Sequence, residues 1–391
     1  MLKAVAARAV LCSNSSPISV VRKMSSSPAF PKFVSVEGAD IHSRSKPDGF
    51  RFSLVSYNIL AQVYVKSSLF PHSPSSSLKW KLRSNTILEV LKNLGADFFC
   101  LQEVDEFESF YKGNMQDLGY SSIYMKRSGQ KRDGCGLFYK IDCAELLLEE
   151  KIEYNDLVKS VLDGSSSNDD EHTKIQTVHP DKQKDVAPKN GSKSNTEDCG
   201  DPNDPRVRLK RDCVGIMAAF KLKDPSCHIV IVANTHLYWD PEWADVKLAQ
   251  AKYLLSRIEK FKTLVSDRYE CIPEVIVAGD FNSMPGDMVY QYLVSGNPSS
   301  NLIPNCLEES PPIPLCSVYA STRGEPPFTN YTPGFTGTLD YILFSPSDII
   351  KPISFLELPD SDAGDIVGGL PNLSYPSDHL PIGAEFEITK E

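Results

Sequence analysis

The sequence predicts a mixed α/β fold in which two β-sheets pack face to face and helices cover the outside. Strand-like apolar runs alternate with helical patterns in the first half of the chain, whereas strand-like runs and loops dominate the second half. Hydrophobic residues make up 41% of the 391 residues, which is enough for a large core. No repeat of fixed period occurs, so a solenoid is not expected.

The first half begins with a strand over residues 52–57, where apolar and polar residues alternate. An amphipathic helix is expected next over 78–94, because apolar residues recur there at helical spacing and Gly95 is a typical stop. Two more strands are expected over 96–101 and 134–139, the second preceded by a basic loop over 126–132.

The second half is expected to contain four strands, over 229–234, 273–278, 339–344 and 382–388, and a helix over 243–261. Between the two halves, residues 163–212 are rich in Ser, Asp, Asn, Lys and Pro and nearly lack large apolar residues. Such a segment buries too little surface to offset its ordering entropy. We therefore predict a disordered insertion in a surface loop.

We divide the chain into a disordered leader over residues 1–45 and one domain over 46–391 that contains the insertion. The first thirty residues carry four basic side chains, many Ala and Ser, and no Asp or Glu. This composition is typical of an organelle transit peptide and equally of a disordered basic tail. We expect a cytoplasmic or nuclear protein, and the leader leaves a mitochondrial or plastid form open. An internal start at Met24 would remove most of that leader.

The net charge of −10 argues against a protein that binds nucleic acid through a basic surface alone. Part of that charge lies in the predicted insertion, and an enzyme that holds a phosphate substrate through divalent ions needs fewer cationic residues. The ten cysteines are scattered without a Cys-x-x-Cys pair, which argues against structural zinc and favours a reducing compartment. No apolar run is long enough to span a membrane.

Short segments that carry Asn, Glu, Asp or His follow several of the expected strands. Asn58 and Glu103 each come directly after a buried strand, so their oxygen atoms can meet at one rim of a sheet. Oxygen ligands of this kind suit Mg²⁺, which keeps several waters and takes only one or two protein carboxylates. Taken alone, a Glu in the position of Glu103 is more often a solvated residue at a strand end than a metal ligand.

Asp280 and Asn282 follow another strand, and their spacing places both on one face of an extended segment. Asp280 could orient or deprotonate an attacking water, and Asn282 could donate a hydrogen bond to a phosphate oxygen. The structural alternative is an Asp-x-Asn turn that bonds its own backbone.

Two histidines also fall in these segments. His379 is a candidate cation beside a phosphate, and Asp340 is the candidate carboxylate that orients its ring. His236 could contact the scissile phosphate or assist the leaving oxygen. Side chains that could stack on a base follow His236, namely Tyr238, Trp239 and Pro241.

Other common phosphate and acyl-transfer motifs are missing from the sequence. It has no P-loop, no dinucleotide-type glycine fingerprint after a strand, and no Gly-x-Ser-x-Gly elbow. Metal-assisted cleavage of a phosphate ester is therefore the chemistry that these residues fit best.

The order of these segments resembles that of the exonuclease–endonuclease–phosphatase superfamily, also called DNase I-like. The resemblance covers residues 52–388 and is closest to the carbon catabolite repressor-type deadenylases and nocturnin. The motifs shared with that group are Ser-Tyr-Asn-Ile-Leu-Ala at 56–61, Leu-Gln-Glu-Val-Asp at 101–105, Asp-Gly-Cys at 133–135 and Tyr-Pro-Ser-Asp-His at 375–379.

The resemblance implies a four-layer α/β sandwich, in which two mixed β-sheets pack face to face with helices outside and Mg²⁺, or Mn²⁺ in its place, lies between them. Metal binding would fall to Asn58 and Glu103, with Asp378 touching the metal or lying behind its ligands. The residues that complete the site would be Asp280, Asn282 and His379, with Asp340 paired to His379 and His236 facing the phosphate.

For the substrate, the resemblance implies single-stranded poly(A) RNA trimmed from its 3′ end with release of AMP, and no membrane. In those deadenylases the residues that match Pro241 and Phe335 sandwich an adenine, and Tyr238 and Trp239 would bind substrate beside them. The alternative is a nocturnin-like phosphatase acting on a nicotinamide dinucleotide phosphate or another small nucleotide. Nocturnin carries basic residues where this chain has Tyr238, Trp239 and Asp240, which favours RNA.

Two further expectations concern partners. The leucine-rich repeats that dock some deadenylases into a large complex are missing from this sequence, so docking of that kind is not expected. A non-catalytic RNA-binding protein of the same fold is a third hypothesis, and the complete set of polar site residues argues against it.

Overall fold

A computed structural model describes residues 28–36, 49–159, 201, 204–295 and 311–389. Most of the predicted leader and most of the predicted insertion lie outside these residues. Within the described ranges, no helix is both long and apolar enough to cross a membrane.

Among the described residues, seven strands form the first sheet, and β2 and β3 are its one parallel pair of neighbours. In spatial order the strands are β1 (Phe33–Ser35), β14 (Ile350–Leu356), β15 (Ile382–Thr389), β2 (Gly49–Asn58), β3 (Phe98–Gln102), β5 (Gly134–Lys140) and β4 (Tyr120–Lys126). Four of them, β2, β3, β5 and β15, were expected from the sequence.

The second sheet has six strands in the part of the chain that is described, and its one parallel pair is β8 with β9. In spatial order the strands are β10 (Cys316–Ser317), β13 (Asp340–Phe344), β9 (Glu274–Asp280), β8 (Ile229–His236), β7 (Val214–Leu222) and β6 (Ala144–Glu153). A small hairpin of β11 (Asn330–Thr332) and β12 (Phe335–Gly337) stands apart from both sheets.

The inner faces of the two sheets meet in an apolar core. Phe98 of β3 lies edge-on to Phe220 of β7, with ring centroids 5.1 Å apart, and Phe52 of β2 packs on Phe98 at 5.8 Å. All three side chains are fully buried. Burial of apolar surface stabilises a fold by about 25 cal/mol per Å², so this interface holds the two sheets together.

Helices cover the outer faces of both sheets. Helix α1 (Trp80–Leu94) buries Ile87 and Leu91 against the first sheet. Gly95 ends this helix in the left-handed conformation, at φ 54°, as the sequence predicted.

On the second sheet, the long helix α4 (Ala244–Tyr269) buries Leu254 and Ile258, and it continues beyond the predicted end at residue 261. The shorter helices are α2 (Lys112–Asp117), α3 (Pro205–Arg208), α5 (Met288–Ser295) and α6 (Val318–Thr322). The order of layers is helix, sheet, sheet, helix, which confirms the predicted four-layer α/β sandwich.

A pair of buried amides links the two sheets near the ends of their parallel strands. Gln102 Nε2 donates to Asn234 Oδ1 at 2.8 Å, and Asn234 Nδ2 donates to the carbonyl oxygens of Leu101 and Gly136 at 3.0 and 2.9 Å. Buried polar groups are costly unless they are hydrogen-bonded, so this network fixes how the sheets sit on each other.

The predicted leader differs from the structure in one part. Residues 28–36 fall inside the leader predicted over 1–45, yet Phe33–Ser35 forms β1 and pairs antiparallel with β14. The prediction of disorder is wrong for this segment, because a three-residue edge strand is too short to show a periodic pattern in the sequence.

The predicted insertion also ends in ordered structure. Residues 204–212 are described, and Asp204 caps the single-turn helix α3. The guanidinium groups of Arg208 and Arg211 lie 4.2 and 4.0 Å from the ring centroid of Trp243. These cation–π contacts, together with the buried Leu209, hold the end of the segment, and its composition did not reveal them.

Candidate active site

The predicted polar segments converge where each sheet has its parallel pair of strands. Both strands of a parallel pair end at the same edge of the sheet, so β2 and β3 deliver Asn58 and Glu103 together. In the same way β8 and β9 deliver His236 and Asp280, which are partners in the strand register. Asp340 begins β13 directly opposite Asp280 on its other side. One site is thus built from both sheets.

Asp280 is the centre of this site. Its Oδ2 atom accepts a hydrogen bond from Asn58 Nδ2 at 3.0 Å and lies 3.5 Å from Nε2 of His236 and 3.7 Å from Nε2 of His379. Burial of the carboxyl group and the charge of Asp340 raise the pKa of Asp280, and the two histidines oppose this rise. A raised pKa makes a carboxylate a stronger base towards water.

Strands β9 and β8 approach each other closely at this point because residue 279 is glycine. A Cβ atom on Gly279, which has φ 152°, would lie 2.0 Å from the carbonyl oxygen of Thr235 in β8. Any side chain there would force the strands apart and move Asp280 away from His236.

His379 is held by a carboxylate, as the sequence predicted. Its Nδ1 atom lies 2.7 Å from Asp340 Oδ2, and the same oxygen accepts a hydrogen bond from Thr329 Oγ1 at 2.6 Å. Burial disfavours the charged ring, but the carboxylates of Asp340 and Asp280 outweigh it and raise the pKa of His379 well above its ordinary value. His379 is therefore suited to carry a positive charge.

The surroundings of His236 shift its pKa in the opposite direction to that of His379. Burial lowers its pKa, although the carboxylate of Asp280 pulls in the other direction. Its Nδ1 atom is buried and has no hydrogen-bond partner among the described residues. The site thus pairs a neutral imidazole with a cationic one on either side of Asp280.

Glu103 occupies a position that favours a bound cation. Its backbone is left-handed, at φ 59°, and its carboxylate accepts hydrogen bonds from the backbone of Ala61 at 2.8 Å and from Asn58 Nδ2 at 3.2 Å. Burial, together with the negative charges of Asp378 and Asp133, raises the pKa of Glu103 to about 8. A divalent cation would relieve this repulsion, so the donor set fits a hard metal ion.

Asn58 presents its amide nitrogen to both Glu103 and Asp280, while its Oδ1 atom accepts a hydrogen bond from the backbone of Leu60 at 3.0 Å. The amide would have to turn over to offer its oxygen to a metal beside Glu103. A second group that could hold a metal is Asp280, Asp340 and His379, whose ligand atoms lie within 4.8 Å of one another. Sequence reasoning assigned these three to catalysis instead.

Asn282 adopts the turn that was the structural alternative for this motif. Its backbone N–H donates to Asp280 Oδ1 at 2.9 Å, and its side-chain Nδ2 donates to the carbonyl oxygen of Leu237 at 3.0 Å. Asn282 also lines the cavity above Asp280, together with Asp378. The turn therefore fixes Asp280 and places the Asn282 side chain at the edge of the site.

The model of the Endonuclease/Exonuclease/phosphatase family matches residues 55–379, a range that includes every polar residue of this site. The chain belongs to that family. The resemblance found in its motifs is thereby confirmed.

Within the family, the chain is 58% identical to carbon catabolite repressor protein 4 homolog 4 of Arabidopsis thaliana, over 95% of each sequence. It is 28% identical to the CCR4-Not complex 3′-5′-exoribonuclease subunit Ccr4 of Schizosaccharomyces pombe, over 87% of this chain and 50% of that protein. The chain therefore spans about half of the length of that subunit.

Two solved structures of similar fold extend the comparison. ANGEL2, described as a 2′,3′-cyclic phosphatase and solved with adenosine-2′,3′-vanadate, has a TM-score of 0.65 and 25% identity, with 92% of this chain and 99% of that chain covered. The catalytic domain of human Nocturnin, solved with a sulfate anion, has a TM-score of 0.58 and 22% identity, with 92% and 97% covered. Both support the same two-sheet fold.

The site around Asp280 opens into a cavity of about 480 Å³. Trp239 lines this cavity and is 63% exposed, as a stacking residue should be. The other three predicted substrate-binding residues are not in its lining. Tyr238 is half-buried against Trp243, whereas Pro241 and Phe335 are exposed on the surface.

Arg83 is a supporting residue that sequence reasoning missed. It is buried, and its guanidinium donates to the carbonyl oxygens of Pro376 at 2.7 Å, Ile59 at 2.8 Å and Leu60 at 2.5 Å. It thus ties the loop after Asn58 to the loop before His379. Its helical spacing from the buried Ile87 could have revealed it, because a charged residue on the apolar face of a helix needs a partner.

Two other missed groups shape the cavity wall. Asp133 accepts a hydrogen bond from Tyr64 at 2.6 Å and lies 3.5 Å from the guanidinium of Arg127, which explains why the Asp-Gly-Cys motif belongs to the site. Lys247 is buried and donates to the carbonyl oxygen of Asn282 at 2.6 Å. Neither contact has a signal in sequence spacing.

Proposed function

We propose that this protein is a Mg²⁺-dependent 3′-to-5′ exoribonuclease that shortens poly(A) tails and releases AMP. The observation that carries the proposal is the surroundings of Asp280, a buried carboxylate bonded to Asn58 and flanked by a neutral and a cationic imidazole. Relatives named as 3′-5′-exoribonuclease subunits, similar over 87% of this chain, support RNA cleavage at such a site.

In this proposal Glu103 holds Mg²⁺, with Asn58 and Asp378 as its other protein ligands and Mn²⁺ as the natural substitute. Bound there, the metal would neutralise charge on the phosphate as it is attacked. We place the metal at Glu103 because the alternative group is already committed: Asp340 Oδ2 is bonded to His379 and to Thr329.

The residues of the chain have separate roles in the reaction. Asp280 takes a proton from the water whose oxygen attacks the phosphorus of the last phosphodiester. The bond from phosphorus to the 3′ oxygen of the preceding nucleotide breaks, that oxygen takes up a proton from solvent, and AMP leaves with the 5′ phosphate. His379, positioned by Asp340, faces the developing negative charge on the phosphate, and His236 lies beside the leaving oxygen.

For the base of the terminal nucleotide, Trp239 is the stacking surface that the cavity supports best. Stacking of a base on an aromatic side chain contributes about 1–3 kcal/mol. Tyr238, Pro241 and Phe335 remain proposed substrate contacts, which they would make from the surface around the cavity.

A second candidate function is a phosphatase that acts on a small nucleotide. Arg127 and Lys131 both line the cavity, and two cationic side chains could hold an extra phosphate group there. The structure of ANGEL2 with adenosine-2′,3′-vanadate supports a nucleotide phosphatase on this fold. Arg127 is paired with Asp133, which reduces the charge that it can offer and leaves RNA as the first candidate.

The test is a panel of substrates with Mg²⁺ present: end-labelled oligoadenylate, oligouridylate of equal length, an RNA ending in a 2′,3′-cyclic phosphate, and a nicotinamide dinucleotide phosphate. We expect oligoadenylate to be shortened stepwise with release of AMP, and oligouridylate to be shortened more slowly. Release of phosphate from a small nucleotide while both RNAs stay intact would establish the second candidate and reject the first. Equal trimming of both RNAs would reject selection for adenine.

A further inference from the structure

A second groove opens beside the active-site cavity. Its volume is about 600 Å³, and its lining includes Lys131, Lys210, Arg211, Asp212, Tyr238 and Trp239. We call it the basic groove. Lys131 and Trp239 line both the groove and the cavity, so the two spaces adjoin.

The basic groove is positively charged on a chain whose net charge is −10. Lys131 and Lys210 are exposed, and neither is ion-paired with another of the residues that the structure describes. Among the residues described, the lining has one acidic group, Asp212, whose Oδ1 atom accepts hydrogen bonds from Ser128 Oγ at 2.9 Å and Asn155 Nδ2 at 2.8 Å. The three cationic side chains outweigh its single negative charge.

Aromatic rings lie between these charges. The indole of Trp239 is 63% exposed, and its ring centroid is 6.1 Å from that of Tyr238. Arg211 lies over Tyr238 at 5.4 Å and over Trp243 at 4.0 Å, so its charge is fixed at the wall of the groove. Cationic side chains beside an exposed indole and a half-buried phenol ring form the kind of arrangement that binds single-stranded nucleic acid.

We propose that the basic groove binds the RNA that precedes the cleaved nucleotide, so that the protein holds a single strand several nucleotides long. This inference rests on the proposed function, because the terminal nucleotide is taken to occupy the cavity above Asp280. Lys131, at the junction of the two spaces, would contact the phosphate next to the cleaved one. Lys210 and Arg211 would contact phosphates farther from the 3′ end, while Trp239, which stacks on the terminal base, stands where the groove meets the cavity.

The experiment measures RNA binding in the background of Asp280→Asn, which prevents cleavage during the measurement. Anisotropy of a labelled oligoadenylate is followed at several salt concentrations for the background itself, for Lys131→Glu/Lys210→Glu, and for the control pair Lys92→Glu/Lys260→Glu. The control makes the same change in net charge on exposed helical surfaces. Lys260 lies sixteen residues beyond the start of α4, about 24 Å along the helix.

We expect Lys131→Glu/Lys210→Glu to weaken binding at least about tenfold and to reduce the slope of log affinity against log salt by about 1.4, the value for two lost phosphate contacts on a single strand. The control pair should stay close to the background. Equal weakening of binding in the groove variant and in the control variant would mean that only net charge matters. It would reject the proposal that RNA binds in the groove. Unchanged affinity in Lys131→Glu/Lys210→Glu would overturn it as well.

The groove and the proposed function can fail separately. If the wild-type protein trims oligoadenylate but Lys131→Glu/Lys210→Glu binds it normally, the function stands and the groove is rejected. If the wild-type protein trims no RNA, yet the groove variant alone loses binding, the groove stands and the function is rejected. Circular dichroism checks the fold, and Lys131→Ala/Lys210→Ala replaces the charge reversal if that variant unfolds.

Discussion

His379 with Asp340 and His228 with Asp224 form two histidine–carboxylate pairs at opposite edges of the second sheet. In both pairs the histidine Nδ1 atom lies 2.7 Å from a carboxylate oxygen. The surroundings differ, however. His379 also faces Asp280, which comes from another strand, whereas Asp224 accepts hydrogen bonds from the backbone of Ser226 and of His228 itself. The first pair joins distant segments, and the second closes a local turn.

The cavities beside these two pairs differ in volume and in lining. The cavity beside His228 has about 800 Å³, against about 480 Å³ for the one above Asp280. Its lining includes Glu145, Cys227 and the 78%-exposed Ile272. Size and a histidine pair therefore do not identify the reactive site. We place the proposed reactive site where buried polar groups converge from several strands.

The largest effect is expected from Asp280→Asn, which keeps the shape of the side chain and removes its basicity. Turnover of oligoadenylate should fall by about 10⁴-fold, the upper range for loss of a general base. The matched variant at the other edge, Asp224→Asn, should keep wild-type turnover. Single-turnover kinetics measures both, and equal losses would show that the effect does not depend on the place of Asp280 between the two histidines.

The next largest effect is expected from His379→Gln, which removes the charge that Asp340 orients. The value of kcat should fall by about 10²-fold, with little change in KM, because the interaction is stronger in the transition state than with bound substrate. His228→Gln is the control at the opposite edge. A comparable loss of kcat in the control would indicate that disturbing either histidine–carboxylate pair lowers activity through the fold, and that His379 has no special role.

Metal affinity offers a third comparison. Glu103→Gln should raise the Mg²⁺ concentration for half-maximal activity by about 10–100-fold. Titration of Mg²⁺ in a thermal-shift assay gives a readout that does not depend on activity, because a ligand that binds only the folded state raises Tm. The Mg²⁺-dependent rise in Tm should shrink in Glu103→Gln and persist in Glu145→Gln, a change on the far cavity. A rise that is identical in all three proteins would place the metal elsewhere.

A smaller effect is expected from Arg83→Lys, which keeps the charge but cannot reach three carbonyl oxygens at once. Carbonyl groups left without a donor should cost about 2 kcal/mol of unfolding free energy, and looser loops should lower kcat by about 10-fold. Urea unfolding and kcat are measured on the same preparation. Loss of stability with unchanged kcat would show that Arg83 supports the fold without positioning the site.

The smallest effect is expected at the far cavity. The double variant Glu145→Ala/Ile272→Ser changes its exposed lining, and surface substitutions of this kind usually alter stability by less than about 0.5 kcal/mol. Activity on oligoadenylate should stay within about twofold of wild type, as measured by initial rates. A larger loss would give the far cavity a role that its geometry does not indicate.

The comparison also shows what the sequence could predict. Strands β2, β3, β8 and β9 were predictable because each is an apolar run that ends in a polar residue, and α1 was predictable because Gly95 ends it. Strand β6 was missed because half-exposed residues along it hide the pattern. Strand β1 was missed because an edge strand of three residues has no period.

Within the site, the pairing of Asp340 with His379 followed from known chemistry, and the structure brings the two together. Lys247 and Arg83 did not follow, because they donate to backbone carbonyl oxygens of segments that are far apart in sequence. Thr329 did not follow either, because its hydroxyl bonds the Asp340 side chain from a loop without a periodic pattern. Of the residues predicted to bind the base, only some lie at the cavity. Trp239 reaches the cavity, whereas the burial of Tyr238 against Trp243 depends on packing that spacing cannot express.

The amide pair Gln102–Asn234 has a consequence for how the protein would fail under stress. Glu103 follows one of these residues in the chain, and His236 stands two positions after the other, on the opposing sheet. A small shift of one sheet along the other would therefore separate Glu103 from His236 while most secondary structure survived. Mild denaturant should abolish turnover before circular dichroism detects any unfolding. The enzymatic rate would then be a sensitive measure of how tightly the two sheets are held together.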